Sequence, residues 1–362
     1  MCRIKINLSA AFAIGNTAIQ SVHWNMCIHV LSCQKIMSIR MWDHSIIANQ
    51  YPDRANSFSR AVRSFASLFP QLFSCPTPLS KPQGISAYMR VKDEKDWIAA
   101  SIASLSAFAD EIIVADNGST DGPWDILQDI AASKSHRIKL WRRPELYHAD
   151  LSNFALEQTT FRWVFRFDGD MIARTSGPHN IEKLRSRVLA LNPHRYYLIY
   201  LRHINLSGDL CHQDPREMVH IEEYIHTFSE AARFIHPGRF EAVKFPLYYK
   251  PLFWYEPYVF HVNIKPARRM LLRYFWEDWM ELKDYQKFPT LEDYVNAKIE
   301  QEFGTKSWEE AQDIYISRVL REYIRYDPDV FGPYPDFLKS HIDHPKYAIR
   351  YKDNQIVGRS EP

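Results

Sequence analysis

The sequence predicts an α/β fold built on a mainly parallel sheet. Three observations carry this. Strand-like and helix-like segments alternate from Ile85 to about Ala267. The run Ile112 to Ala115 is apolar without interruption, as in a strand covered on both faces. Two of the strand-like runs end in acidic turns that contain glycine, at Asp116 and at Asp168. Such alternation means parallel strands with helices on the faces, and ligands then bind beyond the carboxyl ends of the strands.

Taken in order, Ile85 to Val91 reads as the first strand, and Ile98, Ile102, Leu105 and Ala109 keep helical spacing after it. Glu111 to Ala115 is the second strand. It stops at Asp116-Asn-Gly-Ser-Thr-Asp-Gly-Pro123, a turn into a helix, with Pro123 suited to the first helical position and Asp121 to its cap. Arg137 to Trp141 gives a third strand, Ser152 to Gln158 a helix, and Trp163 to Phe167 a fourth strand.

Two regions flank this unit. Residues 1–84 are poorly patterned and end in a Pro- and Gly-containing linker, Cys75 to Gly84. Within them Phe58, Val62, Phe65, Phe69 and Phe73 recur at three-to-four spacing, with Arg54, Arg60 and Arg63 between them. A basic amphipathic helix of this kind, within residues 54–73, packs on the main domain or contacts an anionic membrane surface. The short apolar stretch Leu8 to Ile14 is cut off by Asn16 and Thr17 and reads as no signal peptide. Residues 268–362 are mostly helical, with one stripe at Leu271, Leu272, Phe275, Trp279 and Leu282 and another at Ile314, Val319, Leu320, Tyr323 and Ile324. Proline at 328, 333, 335 and 345 then breaks helix formation, and Tyr347 to Tyr351 suits an edge strand.

Composition narrows the classes. With 362 residues, 46% of them hydrophobic and 24% charged, the chain can bury a large core. A net charge of +2 gives no reason to expect nucleic acid, and no long uncharged apolar run suggests a membrane span. Five scattered cysteines without a CxxC pair fit a reducing, cytoplasmic setting, at or near a membrane surface if the basic helix lies there. His203, Cys211, His212, His220, His226 and His236 have spacings that match no structural zinc pattern.

The chemistry lies at the strand ends. In Phe165-Arg-Phe-Asp-Gly-Asp170, two carboxylates flank a glycine where a strand stops. Oxygen ligands there suit Mg2+ or Mn2+, and the glycine lets the backbone turn tightly and approach phosphates. Asp116 lies at the same rim, and two acidic residues at one rim make a site.

Met89-Arg-Val-Lys-Asp-Glu94, Asp110 to Gly122, Asn153 and Phe167-Asp-Gly-Asp170 together resemble family 2 glycosyltransferases. The resemblance covers residues 85–175. It implies the GT-A fold, a Rossmann-like nucleotide-diphosphosugar transferase domain over 85–267, with residues 268–362 as a helical extension. It further implies sugar transfer from a nucleotide-diphosphate donor, taken as a UDP-sugar, to a carbohydrate or lipid-linked acceptor in glycan or polysaccharide synthesis. By the same resemblance, Met89, Arg90, Val91, Glu94, Asp116, Asn117, Asn153 and Asp168 bind the nucleotide sugar, and Asp168 and Asp170 hold a divalent metal. His261 is a candidate to complete the metal shell, with a core or hydrogen-bonded histidine as the rival reading. Asp93 and Asn117 depart from the asparagine and aspartate usual at those places.

The family is mostly inverting, which requires one carboxylate base on the acceptor side. Asp214, Glu217, Glu241 and Glu256 are candidates, with Glu256 and Glu241 better placed along the chain. Arg142-Arg143 and Arg268-Arg269 suit phosphates or a plain charged surface. A non-catalytic binding or assembly module on the same fold is the alternative reading. A nucleotidyltransferase is disfavoured, because residues 89–96 contain no glycine for a phosphate loop.

Overall fold

The computed structural model describes residues 57–69, 80–133, 137–146, 148–215, 221–236, 241–281, 284–343, 349–352 and 355–359. All of them lie in one compact unit, Ala48–Pro362. The readings of residues 1–56, of the linker up to residue 79, and of Glu217 and His220 fall outside the described residues.

The parallel core forms where the apolar runs occur. Strands β1 (Ile85–Val91), β2 (Glu111–Asp116), β3 (Ile138–Arg142) and β4 (Trp163–Arg166) lie side by side in the order β3-β2-β1-β4, all parallel. Helices α2 (Ile98–Ser104), α3 (Pro123–Ala132) and α4 (His148–Glu157) connect them. Helix α4 begins four residues before the expected start. Pro123 opens α3 as expected, but Asp121 does not cap it. The N-cap is Gly122, in the left-handed region, and the Asp121 carboxylate accepts from the Lys95 N–H at 3.2 Å instead.

Beyond β4 the sheet becomes mixed. Strand β5 (Met171–Ala173) and helix α5 (Ile181–Leu189) precede the long β6 (Tyr196–Ser207), which turns into β7 (His212–Gln213). Antiparallel β8 (Ile221–Thr227) is inserted between β4 and β6. After the small β9 (Arg233–Ile235) and β10 (Ala242–Lys244) pair, β11 (Tyr249–Asn263) runs parallel to β6 along its length and antiparallel to β5. The long strands thus carry the sheet above the end of β4, and a polar side chain on β6 or β11 can overlook the Asp168–Asp170 turn.

Helices α6 (Ala267–Glu281), α7 (Leu291–Phe303) and α8 (Trp308–Glu322) pack on one another through Leu271, Phe275, Val295, Ile299 and Ala311. The segment after α8 returns to the main sheet as β12 (Ile324–Arg325), paired with β7. Helices α9 (Pro328–Phe331) and α10 (Asp336–Asp343) follow. The expected tail strand does not join that sheet: β13 (Ile349–Lys352) pairs with β14 (Gln355–Arg359) as a separate hairpin.

The amphipathic helix exists as α1 (Ser57–Ala66). It is docked: Ala66 and Ser67 are buried, and the Arg63 guanidinium donates to the Pro246 carbonyl at 2.9 Å. Val62, Phe65, Leu68 and Phe69 are exposed. No helix among the described residues is long and apolar enough to cross a membrane.

Candidate functional site

The loops after β1 and β2 are laced together. Asp116 is fully buried, and its carboxylate accepts from the Gly118 and Ser119 N–H groups while pairing with Arg142 at 3.3 Å. Asn117 donates to the Arg143 and Leu146 carbonyls. Gly118 sits at φ 70°, and a Cβ there would stand 2.8 Å from Pro144 Cβ, so this turn needs glycine for both reasons. From the β1 side, Lys92 donates to the carbonyls of Asn117 and Gly118, and the Asp93 carboxylate accepts from the Thr120 N–H at 2.7 Å. Asp93 has φ 55°, a conformation that Asp and Asn tolerate better than most residues. The departure from asparagine therefore leaves the turn intact. Of Met89, Arg90 and Val91, only Arg90 turns toward the site; the side chains of Met89 and Val91 are in the core.

The second corner is the Asp168–Asp170 turn. Gly169 packs closely on Glu94: a Cβ would lie 3.1 Å from Glu94 Cγ, a tight contact to which the Glu94 side chain would have to yield. Asp170 Oδ2 is 3.2 Å from His261 Nε2 and 2.8 Å from Lys265 Nζ. Burial alone would raise the Asp170 pKa, but Lys265 and His261 hold it well below the usual carboxylate range. His261 is partly buried; desolvation would lower its pKa, yet the Asp170 charge raises it. Lys265 also reaches Glu94 at 2.8 Å, and Arg269 pairs with the same Glu94 oxygen at 2.6 Å. Burial and the nearby Asp170 push Glu94 up to about 7 against the pull of Lys265 and Arg269. Its other oxygen is buried without a hydrogen-bond partner among the described residues.

Asp170 and His261 are the side chains here that could hold a divalent cation, which would have to displace Lys265 from the same Asp170 oxygen. The 3.2 Å between Asp170 Oδ2 and His261 Nε2 is close to the ~3 Å between neighbouring ligands when metal bonds are about 2.1 Å. Asp168 is turned aside, 3.6 Å from Arg90. Among the described residues no three His, Cys, Asp or Glu side chains converge as a ready-made metal set. Two protein ligands suffice for such ions when substrate phosphates complete the shell.

The third group of charges lies under Asp168. Arg90 pairs with Glu241 at 2.5 Å, Arg166 stands 3.9 Å from Glu241 and pairs with Glu222, and Ser152 donates to Glu241 at 3.0 Å. Although burial would raise the Glu241 pKa, Arg90 and Arg166 lower it. Glu241 is thus set between two guanidinium groups as their counter-charge. Glu256 lies farther along the chain. It is half-exposed and paired with Arg187 of α5 at 3.0 Å, five residues before His261. That is roughly 15 Å along an extended strand. Asn153 donates to the Phe234 carbonyl at 3.0 Å and accepts from the Phe234 N–H at 2.9 Å, which ties β9 to α4.

Sequence reasoning missed Lys265, Arg166 and the inward turn of Arg269. The spacing of Lys265, four residues after His261, was a usable signal; Arg166 lies inside a strand whose pattern spoke for core. In the two basic pairs one member of each reaches a carboxylate of this region: Arg142 pairs with Asp116 and Arg269 with Glu94, while Arg268 binds Glu292 and Arg143 pairs with Glu145. The scattered histidines have separate roles. His212 pairs with Asp209, His203 with the Tyr224 hydroxyl, and the His236 ring accepts from the Ala149 N–H.

Residues 85–190 match the family model described as glycosyl transferase family 2. No curated protein sequence matches the chain. Similar solved structures include TarS from S. aureus, 19% identical, with a TM-score of 0.29 over 35% of this chain; the match spans only 22% of TarS. TarS 1-349 in complex with UDP-GlcNAc is 12% identical, with a TM-score of 0.38 over 77% of this chain and 98% of that one. The mannosyltransferase PcManGT from Pyrobaculum calidifontis, in complex with GDP-Man and Mn2+, is 13% identical, with a TM-score of 0.37 over 80% and 93%.

Proposed function

We propose that the protein is a metal-dependent, inverting glycosyltransferase that moves a sugar from a nucleotide-diphosphate donor to a saccharide or other hydroxyl acceptor, in glycan or polysaccharide synthesis. The observation that carries the reading is the Asp170–His261 pair, 3.2 Å apart, at the carboxyl edge of a family 2 domain. A divalent cation held there would neutralise the charge that develops on the departing diphosphate. Lys265 and Arg269 add positive charge on the same side and are held ready by Glu94. The laced β1 and β2 loops form the corner for the nucleoside, with Asp116 fixing its shape, and UDP is the first candidate nucleotide. Residues 85–267 form the catalytic unit, and 268–362 an extension that starts with α6.

The test is thermal stabilisation of the full chain by UDP, GDP and their sugars, with and without Mn2+, followed by donor hydrolysis. Metal-dependent stabilisation by one nucleotide class, with slow release of free sugar, is the expected result. Absence of any metal-dependent nucleotide effect overturns the reading and leaves a binding or assembly module.

A further inference from the structure

Asp170 carries two positive neighbours on one oxygen. Its Oδ2 lies 3.2 Å from His261 Nε2 and 2.8 Å from Lys265 Nζ, and its side chain is 7% exposed. The ammonium is a bridge, because the same Nζ is 2.8 Å from Glu94 Oε1. A cation bound to Asp170 and His261 would share Oδ2 with Lys265, and the two positive charges would repel at close range. The corner is thus already filled by a charge that belongs to the chain.

Fixed backbone on both sides aims this lysine. The Val262 N–H donates to the Asp170 carbonyl at 2.9 Å, and the Trp97 indole donates to the Ile264 carbonyl at 3.0 Å. After it, the Pro266 carbonyl accepts from the Met270 N–H at 3.1 Å as α6 begins. The side chain, however, has a second seat. Glu94 is 7% exposed, Arg269 holds its Oε1 at 2.6 Å, and its Oε2 is buried without a hydrogen-bond partner among the described residues. A buried carboxylate oxygen without a donor requires an explanation. Lys265 already touches this carboxylate, so by turning about Glu94 the ammonium can leave Asp170 and still make two bonds. Of its three donors two are engaged, and the third is free for an anion.

Charge balance decides when it turns. With Asp168 beside Arg90, two carboxylates, Asp170 and Glu94, face Lys265 and Arg269. A divalent cation alone adds two positive charges to a balanced set and meets Lys265 in place. A nucleotide diphosphate arriving with it restores the balance and offers the ammonium phosphate oxygens. We propose that Lys265 is an internal counter-ion that occupies Asp170 until the donor diphosphate arrives with its cation, and then turns onto Glu94 and the diphosphate. Resting on the function proposed above, this role makes cation and nucleotide bind as a coupled pair, each removing what opposes the other.

The test measures Mn2+ binding to the full chain by electron paramagnetic resonance, alone and with UDP, UDP-GlcNAc, GDP or GDP-mannose, after allowance for Mn2+ bound by free nucleotide. Wild type should hold Mn2+ about ten-fold more tightly, or better, once the right nucleotide is present. Lys265→Met should bind Mn2+ alone about ten-fold more tightly than wild type, and its gain on adding nucleotide should shrink by about the same factor. Lys265→Gln should shift in the same direction, and it replaces the first variant if that one does not fold. In crystals of the wild-type chain with Mn2+ and nucleotide, Lys265 should lie out of hydrogen-bond reach of Asp170 and within reach of Glu94 Oε2 or a phosphate oxygen. Unchanged affinity of the variants for Mn2+ alone overturns the proposal, marking a structural ion pair, or a plain phosphate ligand where nucleotide affinity falls. Lys265 still seated on Asp170 in the Mn2+ complex overturns it too. Either result leaves the proposed function standing while wild type binds Mn2+ with nucleotide. If wild type binds no Mn2+ with any nucleotide, the metal-dependent function falls and this role with it.

Discussion

Glu241 is the sharpest place to separate chemistry from architecture. Its side chain is 10% exposed and lies against two guanidinium groups, Arg90 at 2.5 Å and Arg166 at 3.9 Å. Glu241→Ala strands both. Breaking a buried pair costs about 3–5 kcal/mol, because the remaining charge is uncompensated. Here Asp168, 3.6 Å from Arg90, and Glu222, paired with Arg166, supply part of the lost counter-charge, so the low end, about 3 kcal/mol, is expected. At roughly 2–4 °C per kcal/mol, as for domains of 150–250 residues, the melting temperature should fall by about 6–12 °C. Differential scanning calorimetry at neutral pH measures this directly. Glu241→Gln keeps the Ser152 hydrogen bond within reach but removes the charge, and should lie between the two. The reasoning is refuted if both variants melt within a degree of wild type while donor turnover disappears, for then Glu241 serves the reaction and not the frame.

Other expectations follow from the same geometry. Asn153→Ala loses both bonds to the Phe234 backbone and should destabilise by about 1–3 kcal/mol in urea unfolding; a weakened nucleotide affinity at unchanged stability would contradict that. Asp170→Asn should abolish Mn2+-dependent nucleotide binding in titration calorimetry, and retained metal dependence would remove the cation from this corner. His226 is held at about 4 by burial, with Lys81 adding to the effect against the Thr227 carbonyl. The unfolded chain therefore takes up that proton first, near pH 6.5. The stability it contributes is complete above pH 6.5 and is lost as pH falls toward 4, by up to about 3 kcal/mol. His226→Phe should flatten this part of the pH–stability curve, and an unchanged slope between pH 6.5 and 4 would contradict the assignment.

The parallel core and the two acidic strand ends were legible in the sequence because both are local. An apolar run such as Ile112 to Ala115 has few alternatives to a buried strand, and a turn of Asp, Asn and Gly follows from backbone sterics at one place in the chain. His261 was within reach because a polar residue interrupts the apolar run Tyr258 to Val262. What each carboxylate does was not legible, because a charge takes its role from its neighbours in space. Glu241 has the same side chain as any general base, and only the fold sets it between Arg90 and Arg166, residues 151 and 75 positions earlier in the numbering. Only tertiary packing shows that Asn153 is bonded to the Phe234 backbone. His261 of β11 meets Asn205 of β6 and Met171 of β5 by register, and register is fixed by which faces the core buries, a property no single segment carries.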